Sequence, residues 1–336
     1  MAMTSKGEAM LNVKGVQANK IFLDPVFQDA EITTMFRVIP NVIYRQKMLH
    51  AGEMDEILRL KTGCGFKPVG GMSIYERCIE TYDITADTQQ CYDEYFNTVF
   101  QEAYNKGVRI TDLTGTVMQS IWLNRVLLSM KKQIIKLAFF GDKATADETQ
   151  NLVDGLWTVY IPQLVTQGLV TRIDSNSGTP LAAGEGIELL DKVMDEAKPE
   201  LKATGSSEKF IIVSNNVYER LEKDIRNGVA GDAAYISEVE NGRNAIRFRG
   251  VSVMPMYLWQ GLAAQYMTGI IPGAANGDAN LVLYTTRDNL VLATDVVSSF
   301  TEVKTMYDDF EELNKMCSRF KLGFNYVHPS LMSVAY

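Results

Sequence analysis

The chain has 336 residues, 46% of them apolar and 22% charged, with a net charge of −8. That length supports about two domains and a fold that buries roughly three quarters of its unfolded surface. A pI near 5.0 excludes attraction to nucleic acid or anionic membranes by net charge.

The N-terminal MAMTSKGEAML lacks the basic start and apolar run of a signal peptide. The longest apolar runs fall far short of the ~20 residues that cross a bilayer. Cys64, Cys78, Cys91 and Cys317 show no CxxC spacing and have no nearby histidine. They are expected as reduced thiols in a protein made in a cytoplasm.

Residues 1–20 are small, polar and aperiodic, as in an arm that orders on a partner. From 21 to 43, short apolar pieces are broken by Pro25 and Pro40, which forbid a continuous helix. RQKMLHAGEMDE places His50 in a charged, helix-like context. Residues 61–83 are punctuated by Gly63, Gly65, Pro68, Gly70 and Gly71, with strand-like content from Ser73 to about Thr85. This predicts a hairpin turning near Val69, Gly70 and Gly71. Glu76, Arg77, Glu80 and Asp83 stud its strand, so it must lie on something other than its own core. A helix is expected over residues 88–105.

Residues 112–141, DLTGTVMQSIWLNRVLLSMKKQIIKLAFFG, predict the longest helix. Asp112 and Thr114 are suited to its N-cap, and Gly141 to a left-handed stop. Val117, Ile121, Leu128 and Ile135 form its apolar stripe, widened by Met118, Trp122, Leu127 and Ile134. Asn124, Arg125, Lys131, Lys132 and Lys136 mark the polar side. About 26 residues of helix would span roughly 39 Å.

After an acidic linker the texture changes to alternating strand and helix, an α/β pattern. Residues 156–169 mix β-branched and turn residues, and 174–186 form a loop rich in glycine and serine. Helices are expected over 186–201 and 217–227, the second capped by Ser214, Asn215 and Asn216, with a buried strand over 209–213. A strand pair over 245–249 and 251–257 bends at Gly250. Residues 281–285 and 290–293 read as a hairpin around the turn 286–289. Strands are also expected over 300–307 and 319–327, with 311–316 between them.

No catalytic constellation is legible. GxxxxGK[ST], GxGxxG, GxSxG and HExxH are all absent. His50 and His328 read as structural or surface residues. Asp174, Asn176 and Gly178 begin a calcium-loop pattern, but its last carboxylate is misplaced. Asp295, Glu302, Asp308, Asp309, Glu311 and Glu312 form an acidic string that reads as a solvated or inter-subunit face. Trp122, Trp157 and Trp259 are assigned to core or subunit contacts. No catalytic, cofactor-binding or metal-ligating residue is assigned, and no cofactor is expected.

In their order, these pieces resemble the major capsid protein of tailed bacteriophages, of the Hong Kong 97-type fold. AFFGD, DGLWT, KFIIVSNNVYERLE, IRFRGVSVMPM, NLVLYTTRDNLVLATD and FKLGFNYVHPSLMSVAY look like segments of that family. The resemblance implies an α+β fold with an N-terminal arm over 1–40 and a peripheral domain over 41–150. That domain would hold an extended β-hairpin loop, about 54–92, and the spine helix, about 112–140. An α/β axial domain would span 151–280, with a return to the peripheral domain over 281–336. It also implies a non-enzymatic virion subunit, made in the host bacterial cytoplasm, that assembles with itself as hexamers and pentamers. The shell would enclose double-stranded DNA without sequence-specific binding.

Scaffolding, portal and other head proteins are the implied partners. The sequence lacks the long charged N-terminal extension some members carry, which implies a separate scaffolding protein or a chain numbered after cleavage. Lys61 and Lys67 lie where some members form subunit cross-links, with no partner asparagine or carboxylate matched. Three other readings stay open: a nanocompartment shell of the same fold, a different virion part such as a tail or connector protein, and an α/β enzyme with an unrecognised site.

Overall fold

The structure, a computed structural model, describes residues 11–13, 35–54, 56–58, 60, 70–91, 117–227, 235–240, 243–271, 278–295 and 303–336. It divides into two compact units, each assembled from three stretches of chain. Unit 1 holds residues 1–43, 81–162 and 292–324; unit 2 holds 44–80, 163–291 and 325–336.

Of the expected arm, β1 (Leu11–Val13) and β2 (Arg37–Ile39) fall among the described residues. They are followed by β3 (Arg45–Met54), β4 (Met72–Glu80) and β5 (Tyr82–Cys91). The first limb of the hairpin is thus β3, which begins sixteen residues before the expected Lys61 and includes His50. Cross-strand pairing with β4, from Arg45 opposite Glu80 to Met54 opposite Met72, overrides the helix-like local pattern. Val69 and the lysines Lys61 and Lys67 lie outside the described residues. Residues 88–91 continue β5 instead of opening a helix, because β14 (Leu313–Tyr326) offers ten consecutive partners, Tyr82 to Cys91 against Leu322 to Leu313. The rest of the expected helix, 92–105, is likewise outside them.

The long helix α1 runs Val117–Phe140, about 36 Å at 1.5 Å per residue; Asp112, Thr114 and Gly115 precede the described part. Its buried side is Leu127, Met130, Ile134, Ile135, Leu137, Ala138, Phe139 and Phe140. Leu128, expected in the stripe, is exposed instead. In unit 1 the Phe36 ring meets Phe139 and Phe324, each at 5.4 Å between centroids. Tyr160 donates its hydroxyl to the Phe324 carbonyl at 3.2 Å. The sheet of this unit has the strand order β1-β13-β14-β12-β2, with β5 also on β14; here β12 is Leu290–Thr294 and β13 Val303–Asp308.

Within 156–169, the stretch of mixed β-branched and turn residues, lie a π-turn (Leu156–Tyr160) and, directly after it, α2 (Ile161–Thr166). Unit 2 then adds β6 (Arg172–Ile173), α3 (Glu185–Asp195), α4 (Pro199–Ala203), β7 (Lys209–Ser214) and α5 (Asn215–Arg226). Next come β8 (Tyr235–Glu240), β9 (Arg243–Phe248), β10 (Val251–Met256), α6 (Tyr257–Tyr266), β11 (Val282–Thr286) and β15 (Met332–Ala335). The sheet order is β6-β15-β11-β7-β10-β9-β8. Every residue of β7 is buried, the mark of a central strand covered on both faces. Ile211 and Val213 join the core under α3 and α5, with Leu190, Val193, Val217 and Leu221; Phe210 and Ile212 are as deeply buried on the other face.

The expected strands over 281–293 form, but β11 and β12 are not neighbours in either sheet. Both edges of β11 are taken, by β7 and β15, so the chain leaves the turn at Asn289 into the other sheet. α6 occupies a stretch for which no helix was expected.

Candidate functional site

The β3–β4 ribbon is a sheet of its own, with two strands. Such a ribbon is marginal alone, so its faces decide its role. Alternation sets Met48, Ile79, Arg77 and Tyr75 on one face. Ile79 and Met48 are buried there. The Arg77 guanidinium lies 3.8 Å from the centre of the Tyr326 ring, and burial pushes the Tyr326 phenol up despite it. Tyr75 packs edge-on to His328, 5.4 Å between centroids. Asn325 Nδ2 donates to the Cys78 carbonyl at 2.8 Å. The C-terminal segment therefore fixes this face.

The opposite face looks outward. Lys47 Nζ meets Glu76 at 2.8 Å and Arg45 meets Glu80 at 3.6 Å; exposed pairs like these set register more than they stabilise. Beyond them toward the far end of the ribbon, Leu49 is 65% exposed and Ile74 57%, on diagonal positions within reach across strands. The connection beyond adds Leu58 at 93% and Leu60 at 85%. Leu49 and Ile74 thus form an exposed apolar spot on the outward face of the ribbon.

The acidic string does not form one face. Asp295 ends in an open cleft of about 340 Å³ with Asp83, Ile84, Thr85, Arg319, Phe320 and Lys321, where Lys321 pairs with Asp83 at 3.3 Å. Glu302 lies outside the described residues. Asp308, Asp309, Glu311 and Glu312 share the turn between β13 and β14. The hydrogen bond from Lys315 and those from the Phe310 and Glu311 backbone hold Asp308 below the usual carboxylate range.

His50 stands opposite Tyr75 in β3. His328 Nδ1 lies 2.5 Å from Ser330 Oγ and accepts from its backbone N–H at 3.3 Å, so it caps a short turn. Asp174 accepts from the Asn176 N–H at 3.0 Å, and Asn280 Nδ2 ties that loop through the Ser175 carbonyl at 3.2 Å. Among the described residues no three His, Cys, Asp or Glu side chains gather as a metal site. No described helix is long and apolar enough to cross a membrane. Cys78, Cys91 and Cys317 are free thiols. Trp157 and Trp259 are fully buried, whereas Trp122 is half-buried.

No protein-family model and no curated protein matches the sequence. Solved structures do match. A chain of the satellite phage P4 procapsid, 11% identical, aligns over 95% of both chains with a TM-score of 0.52. The capsid of the empty GTA particle, 9% identical, aligns over 91% of this chain and 89% of its own at 0.54. The capsid of Myoviridae phage XM1, 9% identical, aligns over 91% and 90% at 0.53. The fold is the phage capsid fold. Identities this low carry the architecture alone. The outward face of β3–β4 was missed in sequence because Leu49 and Ile74 come together only by pairing across strands 25 residues apart.

Proposed function

We propose that this chain is the major structural subunit of a tailed-phage head, assembling as hexamers and pentamers into a shell around double-stranded DNA. The observation that carries the reading is extent: about nine tenths or more of both chains align with subunits of the P4, GTA and XM1 particles. In this reading β3–β4 is the core of the extended loop, α1 the spine, residues 151–280 the axial domain and 281–336 the return. Scaffolding and portal proteins are its partners in assembly, and the virion its location. The outward face of the ribbon supports the reading, since permanent complexes bury 2,000 Å² or more, much of it apolar.

The test is purified protein, alone and with a scaffolding partner, followed by sizing and electron microscopy. Shells are expected. A compact monomer at every concentration and salt would end the proposal. Leu49→Glu combined with Ile74→Glu should leave the melting of the isolated subunit within about 0.5 kcal/mol, as exposed sites do, while abolishing shells. Nuclease-protected DNA inside particles from infected cells is the expected content; a protein cargo would instead identify a nanocompartment.

A further inference from the structure

The turn joining β13 to β14 carries Phe310 at 100% exposure. A phenyl group in water forgoes the stabilisation that burial of so large a side chain provides. Its backbone is also held in place. Asp308 Oδ1 accepts from the backbone N–H groups of Phe310 at 3.0 Å and Glu311 at 3.3 Å. Its other oxygen meets Lys315 Nζ at 3.0 Å, and the same Nζ reaches Glu311 at 2.5 Å. Glu312 takes a left-handed φ of 51° to close the loop. The ring is therefore presented from a turn organised before any partner arrives, which lowers the entropy lost on binding. Asp309, Glu311 and Glu312 surround it with negative charge. A side chain wholly exposed touches nothing of its own subunit, so whatever covers it is another molecule.

The chain carries the complement of this turn. α1 contains Arg125, Lys131, Lys132 and Lys136 and no carboxylate. Leu128, 52% exposed, stands three residues after Arg125 and four before Lys132, and both of these are exposed. That spacing puts the three on one stripe of the helix, an apolar spot between two cations.

We propose that the Phe310 turn of one copy docks on the Leu128 stripe of α1 in a second copy. The ring covers Leu128, and Asp309 and Glu312 face Arg125 and Lys132. The inference rests on the reading of this chain as a self-assembling subunit. Donor and acceptor surfaces differ, so the contact is heterologous and passes from copy to copy until a ring or shell closes. One phenyl and one leucine bury far less than the ~1,200 Å² of a stable interface. The turn thus acts as an anchor within a larger contact, the place where aromatic hot spots concentrate binding. Opposed charge orients the approach.

Particles formed from an equal mixture of ¹⁴N- and ¹⁵N-labelled protein, treated with a zero-length carbodiimide, should yield mixed-isotope peptides joining Asp309 or Glu312 to Lys131 or Lys132. Phe310→Ala should raise the concentration needed for assembly about tenfold or more, with subunit melting unchanged. Arg125→Glu with Lys132→Glu should suppress assembly, and adding Asp309→Lys and Glu312→Lys should recover it. Shells that form without the mixed cross-link, with Phe310→Ala assembling like the parent, would overturn the docking while leaving the capsid reading intact. If the parent forms no shells, that reading falls first; the same cross-link on the soluble protein then decides the contact, and its absence overturns it.

Discussion

Gly141 and Gly155 let two backbones meet where side chains would stand. Gly141 does not take the left-handed φ expected of a helix stop. Its N–H completes the helix on the Leu137 carbonyl at 3.0 Å, and its carbonyl accepts from the Gly155 N–H at 2.8 Å. A Cβ on Gly155 would lie 2.8 Å from the carbonyl carbon and oxygen of Phe139, and nearer still to the Gly141 nitrogen. Backbone cannot step aside as a flexible side chain can. Gly155→Ala should therefore cost about 3 kcal/mol or more, read by denaturant unfolding; a loss below about 1 kcal/mol would mean the crossing relaxes freely. A special role for Gly141 was legible in the sequence as a helix stop. Its reason was not, because the partner backbone arrives fourteen residues later. Ser214 teaches the same lesson: expected as a cap, its hydroxyl accepts instead from the Leu281 N–H at 3.2 Å.

The existence of α1 was legible, and its phase was not. Leu127 and Leu128, Ile134 and Ile135, and the run from Leu137 to Phe140 put apolar groups around the whole helix. From Ile134 to Phe140 every residue but Lys136 is buried, so periodicity could not choose between neighbouring stripes there. The choice matters for Trp122, which proves half-buried. Trp122→Ala should cost about 1–2 kcal/mol, whereas Trp157→Ala, in a residue with no exposed surface, should cost about 3–5 kcal/mol. Paired unfolding curves check both, and equal losses would contradict the burial on which the difference rests. β3 was illegible for another reason. Arg45 to Met54 has no β-branched residue and no Phe, Tyr or Trp to mark a strand, and the Lys47–Glu76 pair that belongs to a ribbon spans 29 positions.

The order of elements along the chain was the most legible feature, yet the chain does not divide into consecutive domains. It passes between the two units five times, and the last passage brings β15 into the interior of a sheet. β15 lies between β6 and β11, with Ala335 opposite Val282 and Met332 opposite Thr285. Tyr336 donates its N–H to the Ile173 carbonyl at 3.2 Å, and Ser333 donates its hydroxyl to the Val193 carbonyl at 2.9 Å. Met332 and Val334 are buried, which contributes about 3–6 kcal/mol before the ladder is counted. A domain's whole margin is roughly 5–15 kcal/mol. Removing residues 332–336 also opens an edge on β11, whose five residues are all buried, and an apolar open edge invites pairing with other chains. The truncated chain should lose protection from amide exchange across β6, β11 and β7 and should aggregate. A synthetic peptide of residues 325–336 should restore protection by refilling the gap. A truncated chain that melts cooperatively at the parent's temperature would show that the sheet closes without its inserted strand.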